Sequence, residues 1–209
     1  MLRAGSTPEW WSSAKLELAN KDVLLKSLIE EFEEPRLSSR GDLFATLIKS
    51  IVGQQISVIA ASAVWSRLFD LVGEVNPESI LAKTHEELRQ VGLSNRKVEY
   101  IVGIAEAWTE GLGEIDWEQM SDEEVVQELV KLRGVGRWTV QMLLIFALLR
   151  QDVFPIDDIG LIRGMEKLYN SGKPLETSEL NEISEKWIPY RTMGVCYIWR
   201  SIDPEPVEY

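Results

Sequence analysis

The chain has 209 residues, enough to bury a substantial apolar interior as one generous domain or as two small lobes sharing a core. Its apolar and charged fractions, 45% and 27%, are those of an ordinary soluble globular protein, and no stretch approaches the roughly 18 consecutive apolar residues that span a membrane. The net charge of −12 opposes nonspecific attachment to nucleic acid, because phosphate contacts need positive charge, although it limits the average surface and not one small face.

In chain order, Met1-Leu2-Arg3-Ala4-Gly5 lacks the apolar run of a secretory signal, which predicts a cytoplasmic protein. Thr7-Pro8 reads as an N-cap followed by proline at the first helical position, opening an N-terminal helical arm. The segment Glu33 to Gly41 reads as the loop that separates this arm from the rest. Apolar residues then recur at helical spacing in Leu43-Leu47-Ile48-Ile51 and in Val58-Ala61-Val64-Trp65-Leu68. Asn76-Pro77 repeats the cap-and-proline pattern, and Thr84-His85-Glu86-Glu87 fits a capping box, in which hydroxyl and carboxylate satisfy orphan amides reciprocally. His85 is the single histidine; it excludes His-paired metal sites and is read as surface filler. Ser94 and Asp116 read as further caps, and Ser121-Asp122-Glu123-Glu124 as a second capping box before Val125-Leu129-Val130.

The stretch Lys131-Leu132-Arg133-Gly134-Val135-Gly136-Arg137-Trp138-Thr139 predicts a helix ending near Lys131, a Gly-x-Gly turn, and a new helix from about Arg137. Glycines there tolerate a tight turn and let backbone amides approach an anion at the next helix N-terminus. Such a hairpin grips a phosphate without a basic side chain. Gly-x-Gly between helices is also an ordinary turn, so the sequel matters. Val140 to Leu149 is apolar nearly all round, as for a helix through a core. After it comes Phe154-Pro155-Ile156-Asp157-Asp158-Ile159-Gly160, with two carboxylates where another helix starts. Cys196 is the single cysteine, which excludes an internal disulfide and all-cysteine metal or iron–sulfur sites. No alternating strand pattern competes, so the fold class is all-α, with about ten short helices.

On these residues the chain resembles the helix-hairpin-helix DNA glycosylase superfamily, and within it the 3-methyladenine DNA glycosylase II branch of alkylation repair. The matching segments are Gly53-Gln54-Gln55-Ile56-Ser57, the hairpin with Gly136-Arg137-Trp138-Thr139, the Phe154–Gly160 segment, and Trp187-Ile188-Pro189-Tyr190-Arg191 running on to Tyr197-Ile198-Trp199-Arg200. The resemblance covers roughly residues 40–202 and implies one two-lobed helical domain over 1–209. Lobe one would take about 42–157, including the hairpin 121–150, and lobe two about 1–41 plus 158–209.

The resemblance implies that Asp158 is the catalytic carboxylate. Positive charge grows on the deoxyribose as the glycosidic bond stretches, and a fixed anion stabilises it or orients the attacking water. Asp157 would then be the helix cap; the plainer reading makes both aspartates caps. Trp138 stands where bifunctional members carry a nucleophilic lysine, which implies hydrolysis without strand cutting. Trp138, Tyr190 and Met142 would line the base pocket, aromatic rings suiting a cationic alkylpurine, although Met142 reads equally well as a core gap-filler. Gly134, Val135, Gly136, Arg137, Thr139 and Lys97 would contact DNA. Gln54, Gln55 and Ile56 would fill or wedge the base stack, unless the glutamines make structural hydrogen bonds. Arg96 and Arg163 are the other nearby cations. The remaining tryptophans read as core or lobe anchors. Main-chain carbonyls of Val130, Leu132 and Gly134 are the implied ligands of a sodium or potassium ion, and no other cofactor is required.

The implied function is excision of alkylated purines such as 3-methyladenine and 7-methylguanine by base flipping and hydrolysis. The partner is duplex DNA with a damaged base, met by a monomer without a nucleotide cofactor, in the cytoplasm and at the nucleoid if the source is prokaryotic. A glycosylase for another damaged base, or a non-catalytic helix-hairpin-helix DNA-binding module, are the alternatives.

Overall fold

The computed structural model describes residues 7–32, 37 and 41–202, which form twelve α-helices and one 3-10 turn, with no strand among the described residues. First come α1 (Trp11–Lys21) and α2 (Val23–Glu31). They are followed by α3 (Leu43–Gly53), α4 (Val58–Val72), α5 (Pro77–Leu81), α6 (His85–Gln90) and α7 (Asn95–Thr109). A 3-10 turn over Leu112–Glu114 precedes α8 (Asp122–Leu129) and α9 (Arg137–Phe146). Then follow α10 (Ile159–Tyr169), α11 (Thr177–Glu185) and α12 (Arg191–Ile202). No described helix is long and apolar enough to cross a membrane.

Helix starts follow the local chemistry closely. Asn76, Thr84 and Ser121 each accept the amide three residues on, and Ser79, Glu87 and Glu124 reach back to them. Ser57 and Ser94 cap α4 and α7 singly. Such caps are each worth about 0.5–2 kcal/mol. His85 is exposed in the first turn of α6. Three expectations fail. Thr7-Pro8 does not open α1, which starts at Trp11 after a turn closed by the Trp11 amide on the Pro8 carbonyl. Asp116 accepts the Glu118 amide, two residues on, and so caps a turn and not a helix. The apolar run to Leu149 leaves the helix after Phe146, because Leu149 takes φ +52° and Arg150 turns back to donate to the Leu144 carbonyl. The expected loop 33–41 falls largely on residues 33–36 and 38–40, outside the described residues.

The described residues divide into two compact units, one over 41–143 and the other over 7–32 and 37 with 144–202. The division therefore falls inside α9, not near residue 157 as expected. The reason lies in the second unit's own contacts: Thr192 accepts the Val153 amide and donates to the Arg150 carbonyl, and Arg191 pairs with Asp152. Those bonds tie residues 150–153 to the start of α12.

In the first unit α3 packs against α4 and α7, and its Leu47, Ile48 and Ile51 are fully buried. Each such side chain contributes about 1.5–3 kcal/mol of burial. Phe44 meets Trp108, which stacks on Trp117. In the second unit α12 is buried from Thr192 to Trp199 and packs on α1, α2, α10 and α11. It is apolar on every side because helices surround it. Asp22 ties this unit together. It caps α2 through the amides of Leu24 and Leu25, and accepts from Tyr169 Oη at 2.7 Å and Trp187 Nε1 at 3.1 Å. Burial disfavours its charge, yet the donors from Tyr169, Leu25, Trp187 and Leu24 together win and hold the carboxyl below its usual 3.8. Cys196 is buried in α12, its thiol pushed up to about 12 by desolvation.

Candidate functional site

The hairpin runs from Val130, which closes α8, to Gly136, whose carbonyl receives the Val140 amide and so opens α9. Gly134 has φ +87°, and a Cβ there would stand 2.3–2.7 Å from the Tyr100 ring on α7. Conformation and space both demand glycine. The Val135 amide donates to the Leu132 carbonyl at 3.1 Å and the side chain is buried, so Val135 makes the turn and is not itself a phosphate contact. The amides of Gly134 and Gly136 have no partner among the described residues, and Gly136 is exposed. With the first turn of α9 behind it, that corner suits an anion.

Along α9, Trp138 is half-buried, Thr139 is 3% exposed and Met142 is 1% exposed. Thr139 and Met142, expected at DNA and in the base pocket, are almost fully buried on a helix whose other face carries the exposed Arg137. Arg137 is exposed and pairs with Glu123 of α8 at 2.7 Å. An ion pair in water is readily exchanged for a phosphate.

The loop joining α3 to α4 holds the three stack-filling candidates, and they divide. Gln54 closes α3, and its side-chain Nε2 donates to the Gly134 carbonyl at 3.0 Å. It is a tether, not a free DNA contact. Gln55 takes φ +59° and is exposed, as is Ile56, at 41%. Lys97, expected on the DNA face, donates to the carbonyls of Val52 and Gln54, each at 2.7 Å. It caps the end of α3, and partial desolvation lowers its pKa. Arg96 remains exposed. Of the carbonyls expected to hold a cation, that of Gly134 accepts Gln54 and that of Leu132 accepts Val135. The donor set is neutral and partly engaged.

In the second unit Asp158, not Asp157, caps α10. Its Oδ1 accepts the Leu161 amide at 2.7 Å and the Trp199 Nε1 at 2.9 Å. Asp158 is 6% exposed whereas Asp157 is exposed, because the Asp158 amide turns back to the Pro155 carbonyl and aims the second carboxylate inward. Gly160 leaves the space: its Cβ would lie 3.1 Å from Oδ1. A carboxylate held by an indole N–H and a helix N-terminus is an anion fixed in place by dipoles. Trp199 was expected only as an anchor; the signal for its role was its place in the C-terminal motif. Phe146 stacks on the same indole with centroids 6.0 Å apart.

Tyr190 is half-buried and its ring stacks on Trp10, with centroids 6.1 Å apart and 22° between planes. Trp10 is held by its indole N–H on the Leu149 carbonyl at 3.1 Å. Sequence reasoning missed this pairing, which joins residues 180 positions apart and leaves no local pattern. Arg163 is exposed on α10.

Residues 48–190 match the HhH-GPD superfamily of base excision DNA repair proteins, and the chain belongs to that family. It is 31% identical over 198 residues to DNA-3-methyladenine glycosylase 1 of Schizosaccharomyces pombe, covering 91% of this chain and 87% of that one. It is also 31% identical over 197 residues to a DNA-3-methyladenine glycosylase of Bacillus subtilis, covering 88% of this chain and 65% of the relative. Among solved structures, the Schizosaccharomyces pombe 3-methyladenine DNA glycosylase in complex with abasic DNA superposes with a TM-score of 0.82 at 32% identity. That match spans 90% of this chain and 96% of the other.

Proposed function

We propose that this chain is a monofunctional DNA N-glycosylase that flips alkylated purines out of duplex DNA and hydrolyses their glycosidic bond. The observation that carries the reading is the Asp158 carboxylate, buried at the N-terminus of α10 with its Oδ1 gripped by Trp199 and the Leu161 amide. A fixed anion of this kind suits a reaction whose transition state places positive charge on the sugar, since it needs no reorganisation as that charge appears. Its carboxylate also serves to orient a water for attack on the anomeric carbon. The similarity to proteins named 3-methyladenine glycosylases supports the choice of alkylated purine. By the family resemblance, Trp138 and Tyr190 are the aromatic side chains that would favour a cationic base. Tryptophan at 138 forms no Schiff base, so the product is an intact abasic strand. The Gly134 and Gly136 amides would hold a DNA phosphate. No cofactor takes part in the bond cleavage; a sodium or potassium ion on the carbonyls of Val130, Leu132 and Gly134 would add positive charge beside that phosphate, those of Leu132 and Gly134 using their second lone pairs. The protein would act on damaged duplex DNA as a monomer, in the compartment that holds the DNA.

The test compares release of 7-methylguanine and 3-methyladenine from methylated duplex by the unaltered protein and Asp158→Asn. Asparagine keeps the helix cap and removes the charge. Excision should fall by about 100-fold or more, with duplex affinity within a factor of about three and no borohydride-trapped adduct from either protein. Failure of the unaltered protein to release any damaged base, with duplex binding retained, would favour a non-catalytic binding module.

A further inference from the structure

In the first unit a chain of contacts joins the end of α3 and the loop after it to the hairpin and to α7. The Gln54 amide nitrogen bonds the Gly134 carbonyl at 3.0 Å, Lys97 clamps the carbonyls of Val52 and Gln54 at 2.7 Å, and the Tyr100 ring backs Gly134. Lys97 and Tyr100 lie one turn apart on α7 and so share a face. Immediately beyond Gln54 stands Gln55, in the left-handed region at φ +59°, followed by Ile56, 41% exposed, and Ser57, which caps α4. A non-glycine residue in that conformation is held by its surroundings and relaxes when they are removed.

We infer that Gln54 is a positioning residue that ties the exposed Gln55–Ile56 tip to the hairpin, with Lys97 bracing the same joint from α7. The inference rests on the glycosylase reading. A phosphate seated on the Gly134 and Gly136 amides then stands at a set distance from the two side chains that enter the base stack. Binding the backbone and filling the gap left by a flipped base become one event. Because the joint acts on extrusion and not on bond cleavage, its loss is felt most where the target base is well stacked and paired.

The experiment uses single-turnover excision from two duplexes, each carrying one 7-methylguanine, opposite either cytosine or an abasic site. Gln54→Ala is expected to slow excision from the paired duplex about tenfold and from the unpaired duplex by about twofold or less. Lys97→Met, which removes the brace without touching the hairpin bond, should shift the ratio in the same direction. A 2-aminopurine beside the lesion should lose its fluorescence rise in Gln54→Ala, while thermal melting by circular dichroism reports whether the fold is kept. If Gln54→Ala does not fold, Lys97→Met carries the test. An active variant with an unchanged paired-to-unpaired ratio overturns the inference alone. Absence of release by the unaltered protein from both duplexes overturns the glycosylase reading beneath it.

Discussion

Asp158 shows how little of a buried carboxylate's environment comes from its neighbours in the chain. Two adjacent aspartates begin α10, yet one is exposed and the other is 6% exposed with an indole on its Oδ1. The pair was visible in the sequence; which member faces inward was settled by a turn onto Pro155 and by Trp199, 41 residues later. Met142 and Thr139 make the same point in reverse, since a motif position does not say which side of a helix meets the core. Gly134 was legible as a turn glycine, but its contact with Tyr100 was not. Gly134→Ala must place a methyl against that ring and keep a positive φ, and should destabilise the protein by about 2–4 kcal/mol. Urea unfolding would report this as a lower midpoint with unchanged slope. An unaltered midpoint would mean that the ring moves aside freely.

Among the elements, helix starts were the most legible features because caps are local: hydroxyl, amide and carboxylate sit within four residues of one another. Helix ends were less so. The run to Leu149 stops at Phe146 because residues beyond it bond to α12, which no window of sequence contains. Asp22 is the clearest tertiary joint between elements, linking α2 to Tyr169 at the end of α10 and to Trp187 before α12. Its folded carboxyl is more acidic than its unfolded one. Its contribution is therefore complete above the unfolded value, near 4, and is lost as pH falls through the lower folded value. Below about pH 4 the unaltered protein should lose stability faster than Asp22→Asn. Equilibrium urea unfolding at pH 7 and pH 3 checks it, and equal acid sensitivity in both proteins would dismiss Asp22 as the cause. At pH 7, Asp22→Ala strands Tyr169, Trp187 and two amides and should cost about 3 kcal/mol.

For the whole molecule, a net charge of −12 sets the terms on which an acidic chain can meet DNA. Lys97 is engaged with the end of α3, which leaves Arg137, once it exchanges Glu123 for a phosphate, among the few cations near the hairpin able to meet DNA. Backbone amides release no counterions of their own kind. The duplex affinity should fall with salt along a log–log slope no steeper than about −3, where each neutralised phosphate adds about −0.9. Titration of a labelled duplex between low and moderate salt measures it, and a slope of about −6 or steeper would reveal a basic face well beyond the hairpin cations. The sequence by itself determined the all-helical class, the capping boxes at Thr84 and Ser121, the hairpin turn and the family, because each depends on residues close together or on motifs in fixed order. Tertiary structure alone decided how the candidates are held: Asp158 buried and capping α10 in place of Asp157, Gln54 tethered while Gln55 is exposed, and Trp10 behind Tyr190. Burial and long-range hydrogen bonding join residues tens to hundreds of positions apart, and spacing along a chain carries no record of those meetings.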